Sequence, residues 1–276
     1  MRTLLACLCL LLGGCTGLIF QPMKPLVRTP QQIGLAYQDV YFPSRDGTLL
    51  HGWFLPAQGA SKGTIVQLHG NAENISTHIG SVYWLPAQGY NVFLFDYRGY
   101  GLSAGTPSLD GAIMDVESAI HWLLDNDRID PQRIVVLGQS LGGALGTYAL
   151  ATSGLASRIR ALVLDSTFGD YRRIAREKFA ALWLTWPLQY PLSWSIDDDY
   201  APIRVIARIS PTPVLIIHSE ADAIIPVHHA RQLYAAAKQP KQLWLIPDGH
   251  HISALNRPAI RDRLLHYLGR ILDEKP

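Results

Sequence analysis

Short β-rich runs that alternate with segments of helical periodicity constrain this chain more than any of its other features. Thr48–Leu55, Gly63–Leu68, Tyr90–Phe95, Arg133–Leu137, Ala161–Leu164, Val214–Ile217 and Gln242–Ile246 read as strands. The later ones are continuously apolar, as strands covered on both faces are. Leu109–Asn126, opened by Ser108 as a cap, and Leu141–Ala151, Val227–Ala237 and Pro258–Leu272 carry apolar residues at helical spacing. The alternation predicts an α/β fold with a mainly parallel, doubly wound sheet.

One interval breaks the pattern. From Ser166 to Ile209 no clear strand occurs, and the stretch holds Trp183, Trp186, Trp194, Pro187 and Pro191. A purposeless loop of that length is rare in a compact domain, so residues 166–209 are expected to form a small cap insertion over one end of the sheet. The 276 residues suit one domain of this kind. With 48% hydrophobic and 17% charged residues the chain is no disordered tail. A formal charge of +2, reduced to +1 when Arg2 leaves with residues 1–14, gives no case for nucleic acid. Arg172, Arg173 and Arg176 read as a solvated helix face, and nothing in the sequence sets an oligomeric state.

Gly138-Gln139-Ser140-Leu141-Gly142 follows an apolar strand and opens a predicted helix. In that context the serine sits on a sharp strand-to-helix turn, and the Leu141 amide at the helix start can donate to an oxyanion. Gly101-Leu102-Ser103-Ala104-Gly105 has the same spacing but runs into Thr106-Pro107, not a helix, so Ser140 is the candidate nucleophile. A serine needs a base, and the base needs a carboxylate that fixes its tautomer. Asp222 lies just past the strand at 214–217, and His251 just past the strand at 242–246. Both fall at carboxyl ends of parallel strands, where open sheets place their sites. Glu220, Asp248 and Asp165 are rival acids, and spacing alone leaves His250 open beside His251. His228 and His229 fall on a predicted helix and are expected to face solvent.

At these residues the chain resembles the alpha/beta-hydrolase superfamily, in its serine-aminopeptidase-like or dienelactone-hydrolase-like branch. The likeness runs from Tyr37 to Leu272. It is carried by His69-Gly70-Asn71-Ala72, Asp96-Tyr97-Arg98-Gly99-Tyr100-Gly101-Leu102-Ser103, Gly138–Gly142, His218–Pro226 and Ile246-Pro247-Asp248-Gly249-His250-His251. It implies that the Asn71 amide joins that of Leu141 in an oxyanion hole. It also implies that His251, at isoleucine-proline-x-x-x-histidine spacing, is the base, with Asp222 as its acid. Ser219 stands where the family usually has glycine. His69, Asp96 and Arg98 are expected to hold loops, and the cap is expected over Ser140, with Trp183, Trp186 and Trp194 lining an acyl pocket.

The resemblance implies a serine esterase acting on a small acyl substrate, with no metal or organic cofactor. An aminopeptidase-like amide hydrolase would need an acidic group to hold the substrate amine. A non-catalytic binding module would keep the fold without turnover.

Cys7, Cys9 and Cys15 are the chain's three cysteines, which leaves none for a disulfide framework in its body. Arg2 followed by the apolar run Leu4–Leu12 reads as a secretory signal. Leu12-Gly13-Gly14-Cys15 resembles the lipobox of bacterial lipoproteins, which implies removal of residues 1–14 and lipidation of Cys15. Residues 15–34, with Pro22, Pro25 and Pro30, are expected to be a flexible tether, and residues 35–276 the hydrolase domain. Thr16 in place of an aspartate implies the periplasmic face of an outer membrane.

Overall fold

The computed structural model describes residues 19–274. Eight strands form one sheet: β1 (Gln38–Pro43), β2 (Leu49–Leu55), β3 (Thr64–Leu68), β4 (Asn91–Asp96), β5 (Ile134–Gln139), β6 (Ala161–Asp165), β7 (Val214–Ser219) and β8 (Lys241–Ile246). Their spatial order is β8-β7-β6-β5-β3-β4-β2-β1. The strands from β8 to β4 pair in parallel, and β2 and β1 add an antiparallel edge. The sheet is therefore the mainly parallel one expected. β1 is an addition to the strands read from periodicity, because only Val40 and Phe42 of its residues are buried and its alternation is short.

Alternate strand residues face opposite ways, and both faces are covered. Val66, Phe93, Val136 and Leu162 pack beneath α1 (Leu109–Leu124), α2 (Leu141–Ser153) and later α5 (His228–Ala236). Ile65, Val92, Val135 and Val163 pack against α6 (Pro258–Asp273) and the turns between residues 75 and 88. Ser108 caps α1 as expected, accepting the Gly111 amide at 3.2 Å. Registers of Gln139 with Asp165 and of Ile246 with Ser219 bring the carboxyl ends of β5 to β8 to one edge. That edge is where the chain changes direction around the site.

Residues 166–209 form an insertion built on α3 (Tyr171–Ala181) and α4 (Gln189–Trp194). Asp198 fastens its base, accepting the Tyr171 and Arg172 amides at 2.9 and 3.2 Å and pairing with Arg204 at 3.0 Å. The basic face is less free than its composition suggests. Arg172 reaches the Ile196 carbonyl, Arg173 pairs with Glu177, and Arg176 lies over the Tyr190 ring.

The expected tether is corrected for residues 19–34. Phe20 is buried in the core, and Gln21–Pro22 pairs in parallel with Ala72–Glu73. Asn74 donates to the carbonyls of Met23 and Pro25, and Lys24 donates to that of Ser103. Prolines leave few backbone donors, which imitates a linker in sequence, yet carbonyls and one buried ring suffice to strap the segment down. Cys15 and residues 1–14 lie outside the described residues. No helix of the described residues is long and apolar enough to cross a membrane.

Candidate active site

Ser140 occupies the turn between β5 and α2 at φ 50° and ψ −115°, a strained conformation for a residue with a side chain. The flanking glycines are required by close packing. A Cβ on Gly142 would stand 2.2 Å from the Leu68 carbonyl oxygen, and one on Gly138 2.5 Å from the Gly143 Cα. Helix α2 therefore lies directly on the strands, and its first amides open beside Ser140. Beneath the turn a buried chain of amides holds β3, β5 and β6 together. Gln67 donates to Gln139 at 3.0 Å, and Gln139 donates to Asp165 at 2.9 Å.

The structure brings Asp222 and His251 together. His251 Nδ1–H donates to Asp222 Oδ2 at 2.7 Å, while Asp222 Oδ1 accepts the Ile224 and Ile225 amides at 2.8 and 2.9 Å. Burial pushes the Asp222 carboxyl up, but the His251 hydrogen bond and charge and the two amides outweigh it and hold the pKa below the usual value. The ring is thereby fixed with Nε2 as the proton acceptor. The rivals are occupied elsewhere. Glu220 pairs with Arg231, Asp248 with Arg257, and Asp165 with Gln139 and Ser166. His250 is exposed, its amide donating to Ser253.

Two serines that sequence reasoning does not assign hold the loop that carries His251. Ser166, at φ 55°, accepts the Ile252 amide at 3.1 Å. Ser219, the departure from the family's glycine, donates to the Gly249 carbonyl at 2.7 Å and so ties the end of β7 to the loop that carries His251. The positive φ of Ile252 and Gly249 marks the sharpness of that loop.

On the other side of Ser140, a Cβ on Gly70 would come within 3.8 Å of the Ser140 Cβ. His69 Nδ1–H donates to the Gly70 carbonyl at 2.8 Å, which turns the Gly70–Asn71 peptide. The Asn71 carbonyl accepts from the Tyr100 hydroxyl at 2.5 Å and from the Gln21 amide at 2.8 Å. Burial, with the charge of His78 adding to it, holds the His69 pKa far down, so the ring is neutral. Asp96 is also buried, and burial raises its carboxyl to about 8 against the Ile75 amide that it accepts. Ser103 bridges the Asp96 carbonyl and the His51 amide, and Arg98 is bound to Asp115 and Asp46. These residues lock loops, as the resemblance implied.

A cavity of about 190 Å³ opens over Ser140, Leu141 and Asn71. Ile174 and Phe179 of α3 cover it, with Ile224 and Ile225 from the acid loop and Ile19 from the strap. Among the described residues its lining holds no carboxylate, and Lys178 is its one charged residue. Trp183, Trp186 and Trp194 are corrected: they are not in the lining but more than half exposed on the outside of the cap. Apolar composition signals apolar surroundings without saying on which face of a thin insertion they lie.

Glu177, His228 and His229 have ligand atoms within 4.8 Å of one another. His229 is buried, correcting the expectation that it faces solvent. Its Nδ1 accepts the Gly169 amide, so Nε2 carries the proton and donates to Glu177 at 3.1 Å. That tautomer leaves no lone pair at Nε2 for a metal, and the trio latches α3 to α5.

The family model of the alpha/beta hydrolase fold matches residues 63–188. The Escherichia coli O157:H7 protein "Uncharacterized protein YfhR" is 43% identical over 223 residues, covering 79% of this chain and 75% of its own. The alpha/beta hydrolase domain-containing protein WAV2 of Arabidopsis thaliana is 34% identical over 251 residues, covering 85% of this chain and 80% of its own. The solved structure of the Pyrococcus furiosus esterase Pf2001 is similar at a TM-score of 0.71 and 25% identity, over 92% of this chain and 96% of that one.

Proposed function

We propose that this chain, which belongs to the alpha/beta-hydrolase family, is a serine hydrolase that cleaves a carboxylic ester, or a related acyl bond, through an acyl-enzyme. His251 Nε2 takes the Ser140 proton as Oγ attacks the carbonyl carbon. The Asn71 and Leu141 amides stabilise the oxyanion. Collapse expels the alcohol, which receives the proton from His251, and a water activated by the same ring releases the acid. The observation that carries the reading is a strained Ser140 in an apolar cavity, at the same carboxyl edge of the sheet as an Asp222–His251 pair hydrogen-bonded at 2.7 Å. The lining supports an ester over an aminopeptidase substrate, because among the described residues no carboxylate is there to hold an ammonium group and Lys178 would repel one.

The test is direct. The protein is expected to hydrolyse short p-nitrophenyl esters and to react with a fluorophosphonate probe, with both lost in Ser140→Ala. Equal labelling of the variant would remove Ser140 as nucleophile. A folded wild type that neither labels nor turns over a broad ester and amide panel would favour a binding module.

Lipidation of Cys15, with a place on the periplasmic face of an outer membrane, is the second part of the proposal. Its support is the Leu12-Gly13-Gly14-Cys15 segment after an apolar run. Mass spectrometry of the mature N-terminus tests it, and an unmodified Cys15 would end it.

A further inference from the structure

The outside of the cap carries a feature that the reaction does not use. From Phe179 to Ile196 the sequence holds no Asp, Glu, Lys or Arg. Within it Leu182, Trp183, Leu184, Trp186, Leu188, Tyr190 and Trp194 are all exposed, Trp183 to 87%, Leu184 to 69% and Trp194 to 67%. Scattered apolar residues on a surface need no explanation, but a contiguous uncharged run of this kind marks a contact site. Its composition of tryptophan, tyrosine and leucine is the one that settles at the boundary of lipid and water, where rings enter the acyl region and polar edges meet headgroups. The patch also runs into the cavity. Thr185 donates to the Phe179 carbonyl at 2.7 Å, and Phe179 lines the space above Ser140. Ile224, half exposed, continues the apolar rim on the opposite side.

The N-terminal segment identifies what covers this surface. Ile19 lines the same cavity and stands four positions after Cys15. Four residues span at most about 14 Å of extended chain. A lipid on Cys15 would therefore hold the mouth of the cavity close to the bilayer and not at the end of a long tether. We infer that residues 182–194 dock on the lipid bilayer as a second contact, so that the cavity opens toward the membrane and takes its acyl substrate from there. The docking stands on the patch and, through the short reach, on the lipid proposed at Cys15. The substrate part rests on the serine-hydrolase reading.

The full-length protein, reconstituted into phosphatidylcholine–phosphatidylglycerol vesicles whose acyl chains are brominated near the headgroup, provides the test. Three of the chain's seven tryptophans lie on the patch. Bromine is expected to quench the wild-type emission. A variant carrying Trp183→Phe, Trp186→Phe and Trp194→Phe is expected to co-sediment with the vesicles through its N-terminus and to lose most of that quenching. A wild type that co-sediments yet is not quenched, or a variant quenched as fully as the wild type, would overturn the docking and leave the patch to a protein partner. Fluorophosphonate labelling of Ser140 is read on the same samples. Quenching without labelling sinks the hydrolase reading alone, and labelling without quenching sinks the docking alone.

Discussion

At the residue scale, the site depends on side chains whose protonation is set by burial and by hydrogen bonds. Asp222 stays ionised because His251 and two amides outweigh its burial. Asp222→Asn keeps the shape but permits the wrong tautomer of His251, so kcat on an ester is expected to fall by about 10⁴-fold with little change in fluorescence or melting. Asp96 behaves in the opposite way. Its carboxyl is raised to about 8 by burial, so the folded chain keeps a proton that the unfolded chain gives up near pH 4. Its stabilising contribution is complete below pH 4 and declines as pH rises toward 8. Asp96→Asn removes that proton linkage. Urea titrations at pH 6 and pH 9 are expected to show the wild type losing about 1–3 kcal/mol that the variant keeps. Equal losses in both would place the titration elsewhere. Ser140, Asp222 and His251 can be picked out as candidates in the sequence because each follows an apolar strand. Ser166 and Ser219 cannot, because a lone serine carries no signal until the fold sets it 3.1 Å from the Ile252 amide or 2.7 Å from the Gly249 carbonyl. Ser219→Gly, which restores the family's usual residue, is expected to lower kcat several-fold at unchanged KM.

At the scale of elements, the strap and the cap are where sequence and structure part. Strands β2 to β8 and helices α1, α2, α5 and α6 are readable from periodicity, since each buries a run or a stripe that water would penalise. Residues 19–34 have no periodicity, and their attachment rests on long-range partners: the Phe20 pocket, the Ala72–Glu73 pairing and the Asn71 carbonyl. Such contacts are invisible until the chain is folded around them. A chain that begins at Leu35 is thus expected to do worse than one that begins at Gly17. Loss of buried Phe20 alone costs about 3–5 kcal/mol. Loss of the Gln21 donor also frees the Asn71–Ala72 peptide, which adjoins the one that carries the Asn71 amide, so the ester rate is expected to fall at least tenfold even where the protein remains folded. Matching rates in the two chains would show that the strap does not support the oxyanion hole. In the cap, Glu177 latches α3 to His228 and His229 of α5 at 2.9 and 3.1 Å. Burial holds His229 down to about 4, so the folded chain refuses a proton that the unfolded chain accepts near pH 6.5. The latch is intact above pH 6.5 and weakens as pH falls toward 4. Faster amide exchange in α3 at pH 5 than at pH 7, once corrected for intrinsic rates, checks this. Glu177→Gln is expected to raise α3 exchange at pH 7 as well, while α2 stays protected.

At the scale of the whole molecule, the strap, the cavity and the apolar patch converge on one edge, the carboxyl edge of the sheet. Ile19 brings the N-terminal segment to the cavity, and Phe179 joins the cavity to the patch. The proposed lipid at Cys15 and the proposed docking face would lie on the same side, restricting rotation as a single acyl chain cannot, and two weak membrane contacts would act together through effective concentration. With a net charge of only +2, the proposed docking would rest on apolar partition more than on Coulomb attraction, so raised salt is expected to release little of the protein from vesicles. The consequence for catalysis separates two kinds of substrate. A water-soluble ester such as p-nitrophenyl acetate reaches Ser140 from solution whichever way the molecule faces. An ester held in the bilayer reaches it only when the rim formed by Phe179 and Ile224 meets the lipid. Trp183→Ser combined with Leu184→Ser, both outside the cavity lining, is therefore expected to lower turnover of a vesicle-borne ester at least tenfold, since burying each such side chain is worth about 1.5–3 kcal/mol, and to leave p-nitrophenyl acetate hydrolysis unchanged. A variant that loses both activities equally would assign the two residues a structural role in the cap, and one that loses neither would mean that the substrate arrives from water.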